Sequence, residues 1–216
     1  GKELKIISIQ NDWYKISSSD VTGYVKIENT TYINKDNENE QETNISNSSN
    51  SILKPSFGMA LNKPSGLSLE QFKKVLNDSK DTNKIFANNA EYFYYIEKQY
   101  NINGVFVAAV GIHESVSGTS KIAIVKTALF GYGADESSPH NGAYNFSNYS
   151  ECIDLISRVF VKYYLNPSGT SIYGGEKAIG TYYNGANLKG INQRYATDKN
   201  WANGVYTYMK YLYNKL

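Results

Sequence analysis

Cysteine is all but missing from this chain of 216 residues: Cys152 stands alone. A single thiol excludes a disulfide within the chain and any thiolate metal cluster. Cys152 falls on the apolar stripe of an expected helix, where a lone cysteine acts as a small buried hydrophobe. Histidine is as scarce, with only His113 and His140. Two imidazoles make a poor zinc ligand set, so no metal and no other cofactor is expected. Both histidines are read as structural or surface groups. No apolar run reaches the roughly 20 residues that span a bilayer, so no membrane partner is expected. No signal peptide is visible. The chain opens on Gly1 and not on Met, so it is expected to be a fragment whose missing front could have carried a secretion signal. Charge is sparse as well, at 19% of residues with a net +2. From Lys162 onward seven basic residues face only Glu176 and Asp198. That half suits an anionic polymer or an ordinary solvated surface equally. The basic residues are scattered and the total is small, which gives nucleic-acid binding little support.

Tyrosine is what the chain has in excess: 20 residues, ten of them after position 160. Its flat apolar face with a polar tip suits sugar rings and ordinary cores alike.

Residues 3–34 read as strands. Trp13-Tyr14-Lys15-Ile16 and Gly23-Tyr24-Val25-Lys26-Ile27 alternate in character and are joined by a polar loop, as a hairpin. Two strands alone are marginal in water. Residues 35–57 begin as Asn, Glu, Ser and Thr with almost no apolar content, the composition of a linker. Helical signals fill residues 58–216. Ser68-Leu69-Glu70-Gln71 is a capping box, followed by Leu69, Phe72, Val75 and Leu76 on one face. Ala90, Phe93, Tyr94 and Glu97 give a second helix ending near Tyr100. Asn103 is placed to cap a third, which runs to Glu114. Cys152, Leu155, Ile156, Val159 and Tyr163 form an apolar stripe, and Ala178, Ile179 and Tyr182 a shorter one. Ala202, Val205, Met209 and Leu212 give the closing helix, with Thr197 as its expected cap. Leu129 to Gly133 and Gly142 to Phe146 read as two short strands around a Ser-Pro turn. The expected fold is mainly α, with a small β-hairpin and a short N-terminal β segment.

Glu114 ends the apolar run Val105 to Ile112 and is followed at once by Ser115, Ser117, Gly118, Thr119 and Ser120. These small residues are expected to fix a turn after the helix. A carboxylate at the end of a greasy helix is expected to lose part of its water shell, which penalises the charged form. A carboxyl kept protonated near neutral pH can act as a general acid. A partly exposed structural Glu near a helix end is the alternative.

Three blocks carry a family resemblance, in order. They are His113-Glu114-Ser115-Val116-Ser117-Gly118-Thr119-Ser120-Lys121-Ile122-Ala123, then Leu129-Phe130-Gly131-Tyr132-Gly133-Ala134, then Tyr195-Ala196-Thr197-Asp198 with Trp201-Ala202. Together they resemble glycoside hydrolase family 73, bacterial N-acetylglucosaminidase autolysins of lysozyme-like fold. Ala128 stands where the family usually has Asn. The resemblance implies hydrolysis of the β-1,4 bond after N-acetylglucosamine in peptidoglycan glycan strands, with Glu114 as general acid. It implies a secreted, wall-associated protein, expected to be a monomer. Asp135 and Glu136 are the candidates for a second catalytic group, Glu136 slightly preferred. Either could activate a water at roughly 6.5–9.5 Å from Glu114, or act as nucleophile at about 5–5.5 Å. In some members the substrate's own acetamido oxygen could attack instead. Tyr195 matches the family's functional tyrosine and could hold the acetamido group or stabilise positive charge near the ring. Tyr132, Tyr182, Tyr183 and Asn184 are candidate cleft-lining residues, from a run read as closing a helix beside a turn. Asp12-Trp13-Tyr14-Lys15-Ile16 and Thr22-Gly23-Tyr24-Val25 are similar to the end of a bacterial SH3 repeat, a wall-binding module. A lytic transglycosylase of the same fold and a non-catalytic wall-binding module are the competing readings.

Overall fold

The computed structural model describes residues 5–10, 13–18, 21–26, 55–132 and 144–216. The chain divides into two compact units, Gly1–Ser51 and Ile52–Leu216.

The first unit holds an antiparallel sheet in the order β1 (Lys5–Gln10), β2 (Trp13–Ser18), β3 (Val21–Lys26). The expected hairpin forms with Trp13 opposite Lys26, Tyr14 opposite Val25 and Ile16 opposite Gly23. β1 supplies the third strand, with a register shift between Ile6 and Ser8.

The second unit is helical. In α1 (Leu69–Leu76) the Ser68 hydroxyl accepts from the Gln71 N–H, and the Gln71 side chain accepts from the Ser68 N–H. This is the capping box read from the sequence, and it frees Phe72, Val75 and Leu76 to be buried; Leu69 is half-buried. The short α2 (Ile85–Asn88) is held by the Asp81 carboxylate, which accepts the N–H groups of Ile85, Phe86 and Ala87 at 2.8, 2.8 and 3.0 Å. α3 (Ala90–Tyr100) leads through Asn101 to α4 (Gly104–Glu114), where the Asn103 side chain accepts from Phe106 N–H as expected. α5 (Lys121–Val125) starts on Ser120 and α6 (Tyr149–Val159) on Asn148. α6 runs on into a π-helical turn, Phe160–Tyr164. α7 (Leu188–Tyr195), capped by Asn187, and α8 (Trp201–Tyr213) complete the unit.

α4 is the centre. Every residue from Gly104 to Ile112 is buried, the mark of a helix apolar all round and packed on all sides. α3, α6 and α8 surround it. Phe72, Phe86, Phe93, Phe106 and Phe160 are almost fully buried about it.

Three expectations are corrected. Ala178, Ile179 and Tyr182 do not form a helix. The N–H groups of Gly169 and Ala178 bond to the carbonyls of Ala178 and Thr170, and those of Ile179 and Gly180 to the Lys162 carbonyl. Gly174, Gly175 and Gly180 take positive φ there, so the chain loops where an α-helix would need negative φ throughout. Ile179 is exposed as a result. Thr197 does not cap the last helix either. Asn200 sits at that position, and the entry is fixed by Asp198 Oδ1 accepting from Asn200 N–H and Asn192 Oδ1 accepting from Ala202 N–H. Of the small hairpin, residues 133–143 lie outside the described residues. Its described flanks are not strands; Tyr144 N–H bonds to the Tyr132 carbonyl and Phe146 N–H to the Lys126 carbonyl.

Candidate active site

Glu114 stands at the one open end of the buried helix. The turn that stops α4 is built by Ser115, whose hydroxyl donates to the Gly111 carbonyl at 2.5 Å and accepts from Gly118 N–H at 2.8 Å. Val116, Ser117 and Gly118 follow with φ of 52°, 57° and 77°. Three left-handed residues in a row reverse the chain, and Thr119 and Ser120 N–H fold back onto the Ser115 carbonyl. Gly118 packs on Ile85, where a Cβ would lie 3.1 Å from its Cδ1. The small residues after Glu114 therefore do fix a turn. Its consequence is that burial ends abruptly: Ile112 is buried and Glu114 is exposed.

This corrects the expectation of a partly dry carboxylate. The helix is desolvated, but its last side chain clears the core because the chain turns away beneath it.

One carboxylate oxygen, Oε1, is nonetheless held. It accepts from the Trp201 indole Nε1–H at 2.7 Å. Trp201 opens α8 and is 3% exposed. Tyr195, at the end of α7, lies against the same indole with ring centroids 4.9 Å apart. It also packs on Phe160 at 5.0 Å and Tyr164 at 5.7 Å. Burial pushes the Tyr195 hydroxyl well above its ordinary pKa, and the Glu114 charge adds to this. Its phenol therefore stays neutral and can only donate or accept a hydrogen bond. Tyr195 terminates α7; it does not open the last helix.

A line of tyrosines continues from it. Tyr164 faces Tyr182 at 4.9 Å, and burial with the neighbouring Tyr182 and Tyr132 lifts its hydroxyl to about 12. Tyr132 stacks on Tyr144 at 5.9 Å, the planes 25° apart. Burial, Tyr144, Tyr163 and Tyr182 all raise the Tyr132 pKa. Tyr132, Tyr144 and Tyr182 remain 36%, 55% and 42% exposed, so the wall offers aromatic faces to solvent.

Of the residues singled out from sequence, Glu114, Tyr195, Tyr132 and Tyr182 are thus drawn into one neighbourhood. Tyr183 and Asn184 are exposed in the turn after Gly180, and the Asn184 carbonyl backs onto Gly190. Asp135, Glu136 and His140 lie outside the described residues. His113 faces α8, where a Cβ on Gly204 would come 2.5 Å from its Cε1. Among the described residues no three His, Cys, Asp or Glu side chains gather as a metal site. A small cavity exists elsewhere, between Leu76, Phe86, Ile112 and Leu212 with Asp78 and Tyr211 beside it. Glu114 does not line it.

A family model described as glucosaminidase, mannosyl-glycoprotein endo-beta-N-acetylglucosaminidase, matches residues 90–214. The chain belongs to the glucosaminidase family. Two curated Streptococcus pneumoniae proteins, from serotype 4 strain TIGR4 and strain R6, are each 27% identical over 156 residues, 72% of this chain. Both are provisionally named endo-beta-N-acetylglucosaminidase. The chain spans about a fifth of their length, 22% and 20%. Among solved structures, a catalytic mutant of S. aureus autolysin E in complex with the disaccharide NAG-NAM superposes with a TM-score of 0.51 at 18% identity, covering 73% of this chain and 72% of that one. That likeness gives the glucosaminidase its lysozyme-like autolysin fold.

Three residues of this candidate site carry no separate signal in the sequence. Trp201 stands out in the sequence only within the third block, although it is one of two tryptophans in the chain. Tyr144 reads only as part of a strand. Tyr164 carried no signal separating it from nine other C-terminal tyrosines.

Proposed function

We propose that this glucosaminidase is a peptidoglycan hydrolase. It cleaves the β-1,4 bond after N-acetylglucosamine in glycan strands, with Glu114 as general acid. One observation carries the reading: an exposed carboxylate at the end of a wholly buried helix, with one oxygen fixed by Trp201 and a neutral Tyr195 beside it. The exposed tyrosine faces offer stacking surfaces for sugar rings. A strand lying along them covers Glu114 and removes its water. The carboxyl then delivers its proton to the leaving oxygen. A positioned acid contributes about 10²–10⁴-fold.

Asp135, Glu136 or the substrate's acetamido oxygen completes the displacement. Tyr195 holds the acetamido group or the charge forming near it, and Tyr132, Tyr182, Tyr183 and Asn184 line the cleft. Residues 1–34 form a partial SH3-like β segment, 35–57 a polar linker and 58–216 the glucosaminidase catalytic domain. The protein acts as a monomer outside the cell, at the wall. No helix among the described residues is long and apolar enough to cross a membrane.

The test is digestion of purified peptidoglycan with mass spectrometry of the new ends. Reducing N-acetylglucosamine ends are expected, and Glu114→Gln abolishes them while its melting temperature is kept. Anhydro ends identify a transglycosylase. Wall binding without fragment release leaves only a binding module. The anomeric form of the first product separates the routes, since inversion excludes both nucleophilic versions.

A further inference from the structure

The Trp201–Glu114 hydrogen bond does more than close a core. An indole N–H is a donor and cannot accept. Glu114 Oε1, 2.7 Å from Nε1, is therefore committed as an acceptor in either protonation state. When the carboxyl is protonated, this bond favours the hydrogen on Oε2, because a carbonyl oxygen accepts better than a carboxylic hydroxyl oxygen.

Several contacts make this donor rigid. Trp201 is the first residue of α8 and is almost fully buried. Its helix entry is clamped by Asn192, whose side chain accepts from Ala202 N–H at 3.1 Å and donates to the Asp198 carbonyl at 2.8 Å. Asp198 Oδ1 in turn accepts from Asn200 N–H at 2.8 Å. The indole face rests on Tyr195. One turn further along α8, Gly204 meets His113, the neighbour of Glu114, with no room for a side chain. That close approach of α8 to α4 lets the indole reach a carboxylate that its own helix leaves in solvent.

We propose that Trp201 is a positioning residue for the catalytic acid. By holding Oε1 it fixes the carboxyl rotamer and favours the transferable proton on Oε2. The inference rests on Glu114 being the general acid. Without Trp201 the carboxylate of an exposed Glu samples several rotamers, and the proton sits on either oxygen. The loss is in the chemical step, not in sugar binding.

The experiment removes the N–H and keeps the ring. Benzothienylalanine, with sulfur in place of the N–H, is incorporated at position 201 in a Trp13→Phe background. Rates on a soluble glycan are compared with the same background bearing Trp201. The expected result is kcat lower by about 10- to 100-fold, the loss of one hydrogen bond to a charged group, with KM within twofold. Unchanged kcat with Glu114→Gln inactive overturns the positioning role and leaves the acid assignment standing. An active Glu114→Gln overturns both. A second measurement needs no change at position 201. The indole N–H proton of Trp201, observed by NMR in the Trp13→Phe protein, should shift as Glu114 titrates and stay still in Glu114→Gln. An indole resonance that ignores Glu114 overturns the proposal even where the isostere fails to fold.

Discussion

Replacing Glu97 by Gln should flatten the pH dependence of stability. Glu97 has no solvent exposure. Its Oε1 accepts from the N–H groups of Ser65 and Gly104, both at 2.7 Å, so one carboxylate ties the loop before α1 to the start of the central helix. Oε2 is buried with no hydrogen-bond partner among the described residues. Burial outweighs these bonds and lifts the carboxyl from 4.5 to about 7. The native protein then holds a proton that the unfolded chain has released. Stability is complete below the unfolded value, falls as pH rises through the folded value, and levels off above it. A rise from 4.5 to about 7 corresponds to about 3 kcal/mol. For a domain of this size that is roughly 6–12 °C in Tm. The assay is urea or thermal unfolding of wild type and Glu97→Gln in parallel, from about pH 4 to about pH 8. The gap between the two should move in favour of the variant by about 3 kcal/mol across that range, most of it between the two pKa values. Other titrating groups cancel in the difference. Parallel curves would refute a protonated Glu97.

Four further outcomes are expected. Tyr195→Phe removes one hydroxyl from a neutral phenol and should lower kcat by about tenfold or more, the scale of one transition-state hydrogen bond; unchanged turnover in the same digestion assay counts against its role. Val116→Gly should stabilise by about 1 kcal/mol in urea unfolding, because an exposed β-branched residue at φ 52° carries left-handed strain that Gly lacks. Gly204→Ala should destabilise by about 1–3 kcal/mol, since its Cβ would overlap the His113 ring. Asp78, held near 2 by Tyr211, Lys80 and Lys215 against the opposing effect of burial, contributes stability present above its unfolded value and lost as pH falls through about 2; Asp78→Asn should lose that acid limb in melts between about pH 4 and about pH 2.

Much of the helical unit is local information. Ser68 with Gln71 and Asn103 with Phe106 are caps whose partners lie three residues away, and the apolar period of α1, α6 and α8 marks their buried faces. Where the reading failed, the deciding partner was distant. Ala178, Ile179 and Tyr182 have helical spacing. Their backbone N–H groups are drawn instead to Thr170, Lys162 and Tyr163, and Gly180 lies where any Cβ would strike the Ser168 backbone. Thr197 is a good cap by type. The role was taken over by Asn192 on the previous helix and by Asp198. α2 is a local case of another kind: the Asp81 carboxylate, four to six residues upstream, accepts from three N–H groups at once.

The candidate site divides in the same way. That Glu114 closes an apolar helix and is followed by a turn is written in consecutive residues, because a run of buried side chains and a cluster of small ones act within a few positions. Its exposure was not, since hydration depends on what covers the end of α4. The indole that grips it comes from 87 positions away, and the tyrosine wall gathers residues from Tyr132 to Tyr195. Sequence determined which helix carries the candidate acid Glu114 and where that helix stops. Only the packing of α7 and α8 against α4 decided what stands beside it, because side-chain neighbours across a core are set by helix approach and not by chain distance.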